Sequence, residues 1–160
     1  GKALWLVMVA GAPHEITTPW RRVALTDPMP VADAVRERRL VWVGGQEEMA
    51  RQYPRPALVL PYKFALAATP LLSGAVVRGG LVLLFSGDHP PRLSQDERDA
   101  VRIGSDRLGE LLRQAADRGD PVLPGGRPHM VPPPAGRVPS PAEASAVAAF
   151  LDRLPGGSCA

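Results

Sequence analysis

The sequence predicts an α+β chain, an antiparallel sheet with helices packed on it, and three observations lead there. Phe64–Leu72 (FALAATPLL) and Gly80–Phe85 (GLVLLF) are apolar runs of strand length joined through Ser73–Gly79, the pattern of an antiparallel hairpin whose second strand Val76 and Val77 extend toward the turn. Ser94-Gln95-Asp96-Glu97 is a capping box, which opens a long amphipathic segment reaching about Asp117. The 160 residues are 45% apolar and 22% charged, the balance of one ordinary domain with a real core. Glycine (16) and proline (19) exceed average usage, so part of the chain is loop or linker.

The elements follow in order. Residues 3–10 (ALWLVMVA) form an unbroken apolar run, suited to a strand buried on both faces, and Gly11-Ala12-Pro13 ends it. Trp20–Leu25 alternates loosely, as a short edge strand or loop does. Thr26-Asp27-Pro28-Met29-Pro30 is a turn running into a proline-started helix over about 30–38, with Val31, Ala34 and Val35 on one stripe. Leu40–Val43 reads as a strand closed by Gly44-Gly45, and Gln46–Arg51 as a short helix. Tyr53–Phe64 holds Pro54, Pro56 and Pro61 and reads as an ordered, irregular loop. Pro70 belongs near a strand end or bulge, because it has no amide to give a central ladder.

In the capped helix, Val101, Gly104, Leu108, Leu111 and Ala115 are spaced 3, 4, 3, 4, and Leu112 widens the stripe. Such a stripe serves packing on a sheet, pairing with the same helix of a second copy, or both. From Gly119 to Pro141, 12 of 23 residues are Gly or Pro, which makes a stiff, extended linker. Beyond it, Pro141-Ala142-Glu143 opens a further helix with Ala146, Val147, Phe150, Leu151 and Leu154 on one face.

Several function classes drop out. The formal net charge is only +3, and arginines are scattered without aromatic residues between them, so nucleic-acid binding is not expected. No apolar run approaches the ~20 residues of a membrane span, and the first residues do not read as a signal peptide. The one cysteine, Cys159, has no intrachain partner, so a reducing cytoplasm is the simplest setting. His14, His89 and His129 all sit in proline-flanked loops without ligand-type spacing, so no metal is expected. Ser86-Gly87-Asp88-His89 holds the residue types of a hydrolase triad, but four neighbours in one turn cannot aim at each other as a triad must. The glycine pairs lack P-loop or dinucleotide-binding context. No catalytic constellation emerges, and an enzyme would need two of His14, Asp33, Asp88 and His89 to face one cavity.

Six stretches in this order resemble a GAF domain: Pro30–Val35, Leu40–Val43, Arg51–Pro54, Ala68–Leu71, Gly80–Phe85 and Leu93–Arg98. The nearest likeness is to those of bacterial multidomain sensors with PAS domains and a metal-dependent serine/threonine phosphatase module. The resemblance covers 3–117, with 118–140 as linker and 141–160 as a helix and the start of a PAS-like domain. It implies that the usual first helix and strand are missing, so the sheet should show a gap, a direct pairing across it, or a substitute strand. It also implies a piece of a longer signalling protein whose phosphatase activity would lie elsewhere.

As a GAF module the chain would be regulatory and non-catalytic, with a small-molecule ligand and a homodimer through the 94–117 helix. Trp42, Tyr53, Tyr62 and Phe64 are the ligand-binding candidates, since they bring aromatic area to one irregular region. No cysteine is placed to hold a tetrapyrrole and no cyclic-nucleotide pattern is present, so no cofactor is assigned. The alternative is a degenerate GAF domain that serves only as a dimerisation element.

Overall fold

The computed structural model describes residues 2–11, 17, 20–58, 63–120, 122 and 127–131. Its centre is a three-stranded antiparallel sheet in the order β4 (Val41–Val43), β5 (Phe64–Ser73), β6 (Val76–Ser86). The second strand reaches back through Val77 and Val76, as the sequence predicts, and leaves a tight turn. Only Gly74 and Ala75 separate the two strands, and Gly74 takes a positive φ of 57°. Pro70 lies beyond the 66–68 stretch that pairs with β4, and a register shift falls between Leu71 and Leu72, so the proline sits beside a bulge.

Both faces of β5 are covered. On one lie α1 (Pro30–Glu37), started by its proline, and α2 (Gln46–Gln52). There Ala34, Val41, Val43, Met49, Tyr53, Leu66 and Ala68 form the core. On the other lies α4 (Gln95–Asp117), whose capping box is complete: the Glu97 amide donates to Ser94 Oγ (3.2 Å) and the Ser94 amide to Glu97 Oε2 (2.8 Å). Its inward residues are Val101, Ser105 and Gly109. Ser105 Oγ donates to the Val101 carbonyl (2.6 Å) and stands 3.5 Å from Thr69 Oγ1, so the buried hydroxyl is satisfied.

Three expectations need correction. The 3–10 run is two strands, β1 (Ala3–Trp5) and β2 (Met8–Ala10), because the chain changes partner at Leu6-Val7. β1 pairs antiparallel with β3 (Arg22–Ala24), and β2 pairs parallel with β7 (His129–Val131). With one strand neighbour each among the described residues, neither is sandwiched: Trp5 is 44% and Met8 59% exposed. Second, β7 lies within the stretch read as linker, so that part of the chain folds back onto the domain. Third, the proline-rich loop after Tyr53 contains one helical turn, α3 (Pro54–Ala57), since a proline at the first helical position gives up an amide that had no partner. The 141–154 helix lies outside the described residues.

The sheet shows the gap. Among the described residues β1–β3 and β4–β5–β6 are separate ladders, and β6 pairs on one edge only. Leu4 reaches across: its Cδ1 is 3.8 Å from where a Cβ on Gly80 would stand, and Val31 Cγ2 only 2.6 Å. Gly80 therefore lets α1 lie directly on β6.

Candidate functional site

A cavity of about 210 Å³ opens between β3, the turn that follows it, and α3. It is lined by Trp20, Arg22, Val23, Asp27, Pro28, Met29 and Arg55. The turn is held by its own hydrogen bonds. Asp27 Oδ2 accepts from the Ala24 amide (2.8 Å), and the Asp27 amide donates to the Ala24 carbonyl (3.0 Å). The Leu25 amide donates to the Lys2 carbonyl (3.1 Å), and Arg36 Nη1 to the Leu25 carbonyl (2.7 Å). This ties the turn to β1 and to α1.

Apolar residues (Trp20, Val23, Pro28, Met29) make up much of the lining, and two arginines, Arg22 and Arg55, belong to it as well. Arg22 is exposed on β3, and its Cζ lies 5.7 Å from the Trp5 ring centroid, a cation–π contact that steadies the side chain. Arg55 is exposed on α3. The Asp27 carboxylate is already engaged by the Ala24 amide.

The predicted aromatic site is not gathered in one place. Val41 and Val43 face the α1/α2 core, so Trp42 between them points to the other side, toward α4. There it meets Phe85 (centroids 5.3 Å) and His89 (5.2 Å), and its Nε1 donates to the Pro91 carbonyl (2.9 Å). Tyr53 is buried in the α1/α2 core and its hydroxyl donates to Asp33 Oδ2 (2.8 Å). Burial, and then that hydrogen bond, push the phenol well above its ordinary value. Phe64 is half-buried at the start of β5, in register with Ser86. Tyr62 lies outside the described residues.

His89 is more embedded than a loop histidine suggests. Its Nε2 lies 2.7 Å from Glu97 Oε1 and its Nδ1 2.7 Å from the Pro90 carbonyl, with 12% of the side chain exposed. Two acceptors favour the doubly protonated ring and hold His89 above 6.5, the Glu97 bond contributing most. Glu97 is pulled down to about 2, by His89 first and by Ser94 next.

Of the four residues an enzyme reading would bring together, Asp33 accepts from Tyr53 on one side of the sheet, while His89 sits against Trp42 on the other. Asp88 is exposed in the turn after β6, and His14 lies outside the described residues. Among the described residues no three His, Cys, Asp or Glu side chains are placed to hold a metal ion, and no helix is long and apolar enough to cross a membrane.

The cavity residues were absent from the sequence-predicted site. The visible signals were the Arg21-Arg22 pair and the Asp27-Pro28 turn, but nothing local joins either of them to Arg55, 27 or more positions away.

No family model matches the chain, and no curated protein does. A solved structure does. It is a GAF domain/HD domain protein from Geobacter sulfurreducens, with a TM-score of 0.56 at 17% identity, covering 66% of this chain and 70% of that one. The fold is GAF-like. At that identity the likeness speaks for backbone architecture, and it agrees with the α+β sheet-and-helix arrangement and the hairpin backed by α4.

Proposed function

We propose that this chain is a non-catalytic sensory or regulatory module of the GAF type, working inside a larger cytoplasmic signalling protein. It takes a small ligand at the cavity between β3 and α3 and pairs with a second copy through α4. The observation that carries the pairing is the outward face of α4. A Cβ placed on Gly104 would meet nothing within 4 Å among the described residues, while Leu108 and Leu111 are 40% and 48% exposed. That face lies about a quarter turn from the Val101/Ser105/Gly109 face, so the helix serves the sheet and a partner at once. Two leucines per helix left in water favour an interface that covers them.

A ligand drives such a module only if it binds one conformation better than another. The turn at Asp27 leads straight into α1, which packs on both β5 and β6, so occupation of the cavity has a direct route to the sheet. The output domain would be a phosphatase of the PAS-containing type, or an HD domain such as the Geobacter sulfurreducens protein carries with its GAF domain.

The test of the pairing is mass in solution. Light scattering after size exclusion should give twice the 17.0 kDa chain mass for the wild type and the single-chain mass for the Leu108→Glu/Leu111→Glu double variant. A wild-type monomer at high concentration removes the dimer. The second reading, a module that only dimerises, is favoured by the close filling of the α1/α2 core around Tyr53. It holds if the dimer forms and no ligand enters the cavity.

A further inference from the structure

We infer that the cavity between β3 and α3 selects a small organic monoanion: a carboxylate carried on a flat apolar body of about one ring. The inference rests on the ligand-binding reading above and adds the chemical class.

Size sets the first limit. A dry cavity of roughly 150 Å³ holds one benzene. The space here is about 210 Å³ and open to solvent on one side, enough to seat a ring and one polar substituent. Its walls set the second. Trp20, Val23, Pro28 and Met29 offer an indole, two aliphatic surfaces and a thioether, which suit an apolar, polarisable body.

Charge sets the third. Among the described residues the cavity lining holds two arginines and one aspartate, a formal charge of 2 − 1 = +1, and the aspartate is already held by the Ala24 amide. A single negative charge neutralises this, whereas a dianion such as a phosphate monoester leaves an excess. The planar guanidinium fork matches a carboxylate with two parallel hydrogen bonds. Neither Arg22 nor Arg55 has a carboxylate partner in the ion pairs among the described residues, which leaves their donors available.

The experiment titrates the isotope-labelled chain with three ring-sized probes of equal shape: benzoate, benzamide and benzylammonium. Backbone amides of 22–29 and of Arg55 are followed. Benzoate should shift them with a Kd on the order of 1 mM, as expected for a fragment of its size. Arg22→Gln and Arg55→Gln should each weaken it about tenfold. Both residues are exposed, so both variants should keep the dispersed spectrum of the folded chain. Arg107→Gln, on α4, should bind as the wild type does. Raising the salt should weaken benzoate and leave benzamide unchanged.

Benzamide binding as well as benzoate overturns the anion class and leaves the ligand-binding reading standing. Benzoate shifts that ignore both arginine substitutions overturn the assigned contacts. Silence from all three probes overturns the anion class and the ligand-binding reading of this cavity together.

Discussion

Gly104 and Gly109 lie on one helix, five positions apart, and meet opposite surroundings. A Cβ on Gly109 would stand 2.0 Å from the Leu72 carbonyl oxygen, and one on Gly104 would touch nothing within 4 Å. The face that carries Gly109 also carries Val101 and Ser105, and it presses the helix backbone against β5 where that strand bulges. The face that carries Gly104 shows Leu108 and Leu111 to solvent. The large apolar residues of an amphipathic helix are usually its inward ones. Here the close approach of helix to strand requires small side chains inside, and the leucines are displaced to the flank.

The most severe way to break that contrast is Gly109→Val. Its branched side chain has only the Leu72 backbone to push against, which cannot step aside as a side chain can. A loss of about 3 kcal/mol is expected, the upper end for overpacked sites, read as a lower urea midpoint. If Gly109→Val unfolds at the wild-type midpoint, the helix does not lie that close.

Tyr53→Phe sharpens the contrast from the other side of the sheet. It removes the hydroxyl and leaves Asp33 Oδ2 with one donor fewer. About 1 kcal/mol should be lost, again by urea denaturation. Gly104→Ala should act with the opposite sign to any change at Gly109. With open space at the site it should stabilise the chain by up to about 1 kcal/mol through helix propensity alone.

The smallest effect is expected at the start of α4, where His89 and Glu97 pair near solvent. His89 is held above its ordinary 6.5, so its contribution is fully present below that pH and fades as pH rises through the higher folded value. Glu97 is lowered from 4.5 to about 2, so its contribution is present above pH 4.5 and fades as pH falls toward 2. The two overlap between about pH 4.5 and 6.5. Melting temperature should therefore drop modestly from pH 6 to pH 9 in the wild type and stay flatter in His89→Gln. An equal drop in both would place the pH sensitivity elsewhere.

Much of this architecture was legible from local pattern. The capping box specified where α4 begins, since both of its hydrogen bonds form between residues three apart. Pro30 marked the start of α1 for an equally local reason. The split of the 3–10 run was not legible, because an apolar stretch does not say how many strands will flank it. The parallel pairing of β2 with His129–Val131 was hidden for a related reason, in that Gly and Pro on either side of three residues outweigh their strand character. Trp42 and Tyr53 looked like neighbours in an aromatic region, but the two-residue period of β4 sends Trp42 to the α4 side.

By itself the sequence determined the local elements: the long hairpin, the capped helix, the proline-started helix and the turn at Asp27. It did so because turns, caps and periodicity act over a few neighbouring residues. Only the tertiary structure decided which flank of α4 meets β5, that β1 stands apart from β6, and that Arg22 and Arg55 share one cavity. Those outcomes depend on backbone approach distances between segments tens of residues apart, and no stretch of neighbouring residues encodes such a distance.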